Sequence, residues 1–138
     1  MKLPYRGIAP TRAHRDDAGL DLRAAEDKWL VPSSLHMVGT GTAVFVPRGH
    51  VGLLMARSSL CVRHGLMLAN GVGVIDSGYH GEIKAPLVNI SDQDAHVEAG
   101  ERIAQLVIVP IAQVEPVEVE EFEESERGND GFGSTGRD

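Results

Sequence analysis

The sequence is short of several things, and each shortage removes a class of protein. It has one cysteine, Cys61. No intrachain disulfide is available, which agrees with a reducing compartment, and one cysteine cannot build a thiolate zinc site. Aromatic residues are only 4% of the chain, so a core must be built mostly from Val, Leu, Ile and Ala. No apolar run approaches the length of a membrane span. The start, Met-Lys-Leu-Pro-Tyr-Arg-Gly, lacks the apolar centre of an export leader. A cytoplasmic protein with no membrane contact is therefore expected. Cations are outnumbered, with 13 Lys and Arg against 20 Asp and Glu, for a net charge of −7. A general nucleic-acid binder would show a basic face, so nucleic acid is not an expected partner. A small phosphorylated ligand stays open, because a pocket needs only a few local cations, backbone amides or a metal ion. The six histidines show no metal-binding spacing and are expected at the surface or in turns.

What is present suits one β-rich domain. The length is 138 residues and 42% are hydrophobic, enough for a core. Short strands are expected over 3–8, 18–25, 29–31, 35–38, 42–46, 51–55, 82–90 and 103–109, separated by Gly-, Pro- and Ser-bearing turns. Close spacing of such strands points to an all-β barrel or sandwich. Pro86 lacks a ladder donor, which predicts an edge or a bulge there. Met37, Met55 and Met67 are expected to fill the core. Val114 to Val119 alternates apolar and acidic residues, as a strand with one wet face does. The one helical signal is Ser58 to His64, with Ser58 or Ser59 as a cap and Gly65 as a stop.

Four places could carry chemistry. Asn70 to Gly81 reads Asn-Gly-Val-Gly-Val-Ile-Asp-Ser-Gly-Tyr-His-Gly. It is too apolar for a surface loop and too rich in glycine for a helix. Its amide, lone carboxylate and aromatic ring suit a small-molecule pocket, and they suit a tight hairpin with a surface Asp equally well. Arg57-Ser58-Ser59 puts a guanidinium and two hydroxyls at a helix start, the makings of a phosphate cradle or of a capped surface turn. Gln105 is the polar member of the most apolar run, tied to backbone or aimed into a site. Residues 127–136 hold no core material except Phe132. Composition describes a mobile tail, yet its arginine, hydroxyls and aromatic could bind phosphate and stack on a planar ring.

Five segments together resemble the trimeric dUTP diphosphatase (dUTPase) family. They are Ala18-Gly19-Leu20-Asp21-Leu22, Arg57-Ser58-Ser59-Leu60, Gly73 to Gly81, Gly100-Glu101-Arg102-Ile103-Ala104-Gln105-Leu106, and Arg127 to Gly136. The resemblance implies a jelly-roll-like β-barrel over 1–126 and a C-terminal arm over 127–138. It implies a homotrimer whose sites lie between subunits and are closed by the arm of a third. The implied reaction is hydrolysis of dUTP to dUMP and pyrophosphate, with Mg2+ on the triphosphate. Asp76 resembles the carboxylate that activates water, and Gln105 the amide facing the α-phosphate. Tyr79 resembles the ring under the deoxyribose. Asn70, with backbone at Val74 and Ile75, resembles the reader of uracil, and Lys84 falls where some relatives touch substrate. Arg57, Ser58 and Ser59 resemble the phosphate cradle. Asp21 resembles the carboxylate that places the metal through water. Arg127, Phe132, Gly133, Ser134 and Thr135 resemble the lid. Ser59, Gly78 and His80 depart from the residues more usual in the family. The alternatives are a dCTP deaminase of the same fold and a regulatory protein-binding role on this scaffold.

Overall fold

The computed structural model describes residues 1–133, 135 and 136; Ser134, expected in the lid, lies outside the described residues. The chain forms ten strands and one helix among these. They are β1 (Tyr5–Gly7), β2 (Leu20–Arg23), β3 (Lys28–Leu30), β4 (Leu35–Val44), β5 (His50–Ala56), α1 (Ser58–His64), β6 (Leu66–Leu68), β7 (Gly73–Ile75), β8 (Glu82–Asn89), β9 (Ala95–Val97) and β10 (Arg102–Pro110). Two four-stranded antiparallel sheets run β1-β4-β8-β6 and β2-β10-β5-β7, and β3 pairs with β9 as a separate ribbon. Strands adjacent in space are rarely adjacent in sequence, the mark of a jelly-roll rather than a meander.

The core between the sheets is aliphatic, as the scarcity of aromatics requires. Leu22, Leu54, Leu66, Leu87, Ile83, Ile103 and Leu106 are fully buried. All six aromatic side chains, Tyr5, Trp29, Phe45, Tyr79, Phe122 and Phe132, are exposed. The few buried polar groups are satisfied. Asn89 donates to the carbonyls of Leu30 and Gln93, both at 2.8 Å, and the Thr40 hydroxyl donates to the Ile83 carbonyl at 2.6 Å.

Several expectations need correction. The segments 35–38 and 42–46 join into one strand, β4, whose pairing with β8 slips between Gly39 and Ala43. β8 is not an edge: it pairs with β4 on one side and β6 on the other. Pro86 is tolerated because its carbonyl accepts from Ala69, just past the end of β6, so its missing donor faces the side where that ladder stops. The slip lies elsewhere. Met37 and Met67 do not fill the core; strand alternation turns them outward, 52% and 40% exposed. Residues 114–119 form no strand, since a strand needs a ladder partner and this chain supplies none there. Val114, Val117, Val119 and Phe122 stand exposed.

Candidate active site

The chemistry-bearing residues fall into three groups. The first gathers where β2, β5 and β10 lie side by side. Asp21 on β2 stands opposite Gln105 on β10, which stands opposite Met55 on β5. β5 ends at Ala56, and Arg57 follows as the N-cap of α1. Arg57 Nε lies 3.1 Å from Asp21 Oδ1, and Arg102 Nη1 lies 3.3 Å from Asp21 Oδ2. One carboxylate thus aims two guanidiniums at the same end of the sheet. Gln105 Nε2 donates to the Ala56 carbonyl at 3.3 Å. Its side chain lies over Gly19, where a Cβ would come within 2.5 Å of Gln105 Oε1. Here glycine is required by close approach. Neither serine hydroxyl caps the helix. The cap reading for Ser58 and Ser59 is therefore replaced: the hydroxyls do not serve the helix's own amides.

The second group is the stretch from Asn70 to Gly81. A turn around Gly71 (φ 70°) leads from β6 into β7. Asn70 is exposed, and a Cβ on Gly73 would sit 3.6 Å from its Nδ2. β7 lies along the sheet edge, so the backbone of Val74 and Ile75 runs beside Asn70. Asp76 follows, exposed, and its carbonyl accepts the Tyr79 amide at 3.1 Å. The Tyr79 hydroxyl donates to the Glu82 carbonyl at 2.7 Å, and its ring lies against Gly81. The stretch is therefore a shaped wall: a short strand, an exposed carboxylate and a ring held at both ends. Lys84 is exposed on β8, two residues beyond Glu82.

The third group is the arm. Arg127 Nε donates to the Asp130 carbonyl at 2.7 Å, and Phe132 is fully exposed. Gly133 takes a φ of 85°, and Thr135 is exposed. Among the described residues, the arm's hydrogen bonds stay within the segment from Ser125 onward.

The first two groups do not meet in one chain. Ile75 pairs with Gly52, which puts Asp76 at the start of β5. Arg57 follows the other end of that strand. Six residues of extended chain separate these ends, about 20 Å. Asp21 and Gln105 share the far end with Arg57. The Asp76 carboxylate and the guanidinium group thus occupy opposite ends of one sheet.

Sequence reading passed over two groups in this region. Arg102, to which the sequence assigns no role, shares Asp21 with Arg57. His64 is not a plain surface histidine: its Nε2 lies 2.5 Å from Glu101 Oε1. Burial pushes the Glu101 carboxyl up, but the Glu98 amide, the His64 ring and the Arg63 charge outweigh it and hold it below its ordinary 4.5. For Glu101 the one sequence signal is its place between Gly100 and Arg102, just ahead of the apolar run.

A β-barrel that presents guanidiniums and an amide at one sheet end, with an aromatic wall and a lone carboxylate at the other, is of the nucleotide-processing class. The comparisons narrow this. The dUTPase family model matches residues 6–136. The deoxyuridine 5'-triphosphate nucleotidohydrolase of Corynebacterium glutamicum is 46% identical over 129 residues, covering 93% of this chain and 87% of its own. That of Nautilia profundicola is 41% identical over 136 residues, covering 99% and 96%. The dUTPase of Staphylococcus bacteriophage 80alpha, determined with dUpNHpp, superposes with a TM-score of 0.91 at 36% identity and covers 99% of both chains. A dUTPase of phage phi11 of S. aureus, described for its coordination of a structural Mg(II) ion, gives a TM-score of 0.81 at 32% identity, covering 90% of this chain and 100% of its own. The chain belongs to the dUTPase family. These relatives do not favour the deaminase alternative.

Proposed function

We propose that this chain hydrolyses dUTP to dUMP and pyrophosphate, in sites shared between subunits of a homotrimer. The observation that carries the reading is the division of the motif residues into two walls about 20 Å apart. Neither wall is sufficient. The wall of Asn70, Val74, Ile75, Asp76 and Tyr79 can read a base and sugar but holds no phosphate clamp. The end with Asp21, Arg57, Ser58, Ser59 and Gln105 can hold phosphates but has no free carboxylate, since Asp21 is engaged by two arginines. Bringing the wall of one subunit against the phosphate end of another completes a site. The arm of a third, with Arg127, Phe132, Gly133, Ser134 and Thr135, would close it.

An apolar face supports the assembly. Leu35, Val88 and Met67 lie in one row across β4, β8 and β6, with Met37 and Pro86 in the next. Leu35, Met37 and Met67 are all at least 40% exposed in the single chain. A face of this kind asks for a partner.

The chemistry needs no covalent nucleophile. Asp76 orients a water and takes its proton as the water oxygen bonds to the α-phosphorus. The bond from that phosphorus to the α–β bridging oxygen breaks, and pyrophosphate leaves. Arg57 and the cradle hydroxyls meet the charge that builds on the phosphates, and Gln105 faces the α-phosphate. Tyr79 fills the space a 2′-hydroxyl would need. Lys84 adds a cation near the wall.

Magnesium fits this scheme as a passenger of the substrate. No group of three or more His, Cys, Asp or Glu able to hold a metal occurs among the described residues. A small hard cation that keeps its waters and is held mainly by phosphate oxygens suits such a donor set, with Asp21 the one carboxylate at the phosphate end. Bound there, Mg2+ would neutralise triphosphate charge. An enzyme acting on free dUTP would work in the cytoplasm, the location the sequence leads one to expect.

A panel of dUTP, UTP, dTTP and dCTP with Mg2+, read by pyrophosphate release, tests the reading. Rapid release from dUTP and little from the others is expected. Equal turnover of UTP would remove the role given to Tyr79, and release from none would remove the proposed activity.

A further inference from the structure

The geometry points to His64 and Glu101 as a positioning pair that holds the phosphate cradle in register from the far end of its helix. The inference rests on reading Arg57, Ser58 and Ser59 as that cradle. α1 is seven residues long, about 10 Å, and Leu60, near its middle, is its one buried residue. Val62 on the same helix is 86% exposed. A helix with one apolar anchor can rock about it unless its ends are tied. Both ends are tied, and both ties arrive at adjacent residues. At the start, Arg57 pairs with Asp21, which Arg102 also holds. At the finish, His64 Nε2 meets Glu101 Oε1 at 2.5 Å.

Glu101 is itself well fixed. Its Oε2 accepts the Glu98 amide at 3.0 Å, and its carbonyl accepts the Ala24 amide at 2.8 Å. The Arg23 guanidinium donates to the Gly100 carbonyl at 2.7 Å. The turn before β10 is therefore a rigid bracket, and the helix is the movable part. Gly65 then turns the chain away at once, with a φ of 64° and its amide on the Cys61 carbonyl at 2.9 Å. A Cβ there would come within 2.6 Å of Ser91 Cβ. His64 thus sits at the last helical position, where its ring can reach the bracket and no longer side chain follows. Releasing it lets the helix rock about Leu60, and the serine end moves in the opposite sense. Neither His64 nor Glu101 touches substrate in this scheme; both act through the cradle.

The test compares His64→Leu, Glu101→Gln, the double variant and His64→Gln in the full-length protein. The first two should each raise KM for dUTP and weaken dUpNHpp about tenfold, with affinity for deoxyuridine, which has no phosphate, within about twofold of wild type. The double variant should be no worse than His64→Leu alone, because losing the imidazole already removes the whole contact. His64→Gln, whose amide can still donate to the carboxylate, should recover most of the loss. An equal loss for dUpNHpp and deoxyuridine would mean a general structural defect and overturn the pair's assigned role. So would additive losses in the double variant, or unchanged KM in both single variants. If His64→Leu does not fold, the near-isosteric Glu101→Gln carries the same comparison. Wild-type protein that releases no pyrophosphate from dUTP would instead overturn the proposed activity, and dUpNHpp binding would still report on the pair.

Discussion

Asp76 is an exposed carboxylate whose backbone carbonyl accepts the Tyr79 amide, and its side chain has no hydrogen-bond or ion-pair partner among the described residues. Asp21 is the reverse, a mostly covered carboxylate gripped by two arginines. The same residue type therefore stands in two environments, and on the proposed reading the environment decides which job each does. A carboxylate that orients two guanidiniums gains nothing by taking a proton, whereas a free one can accept a proton from water. Asp76→Asn should keep the shape of the wall and bind dUpNHpp within about threefold of wild type, while kcat falls about 10³-fold. Retained turnover would put the base elsewhere. The pattern of residues made Asp76, Tyr79 and Gln105 legible as candidates, because each stands out from its apolar or glycine-rich neighbours. Arg102 was not legible, since an arginine at the start of a strand carries no local sign that it shares a carboxylate 81 residues away.

At the scale of elements, β5, β8, β10 and the helix were readable because each carries its own punctuation, whereas the glycines of β4 made one strand read as two. β5 and β10 carry long apolar runs, that of β10 interrupted only by Gln105, and α1 ends at a glycine whose φ is 64°. β6, β7 and β9 were not seen, for three residues are too few to show a period. The 114–119 segment shows the converse failure: its alternation is real, but alternation describes a face and not a partner. The helix clamp gives a pH prediction at this scale. The folded Glu101 carboxyl lies below its ordinary 4.5, so its contribution to stability is fully present above that value. It is lost as pH falls through the lower folded value. Glu101→Gln should destabilise the protein by about 1–2 kcal/mol at pH 7. Urea unfolding from pH 7 downward should show the gap between wild type and variant closing only below 4.5. A gap that does not change with pH would mean that the charge on Glu101 is not what holds the helix.

For the whole molecule, the decisive fact is a distance along one strand. Asp76 sits at the start of β5 and Arg57 follows its end, about 20 Å away, and no rearrangement short of unfolding the sheet brings them together. If sites form between subunits, then two inactive chains can complement. A chain carrying Asp76→Asn still has a good phosphate end, and a chain carrying Arg57→Ala still has a good wall. Mixed at equal amounts, unfolded and refolded together, they assort at random into trimers. Any given site then draws an intact wall from one variant and an intact phosphate end from the other with a chance of about one in four. Pyrophosphate release should recover to about a quarter of the wild-type rate, from two preparations that are each nearly silent alone. Mixing the folded trimers without unfolding should recover much less, because subunits must exchange first. If every site instead lay within one chain, no mixture could contain an intact one, and the refolded mixture would stay as silent as its parents.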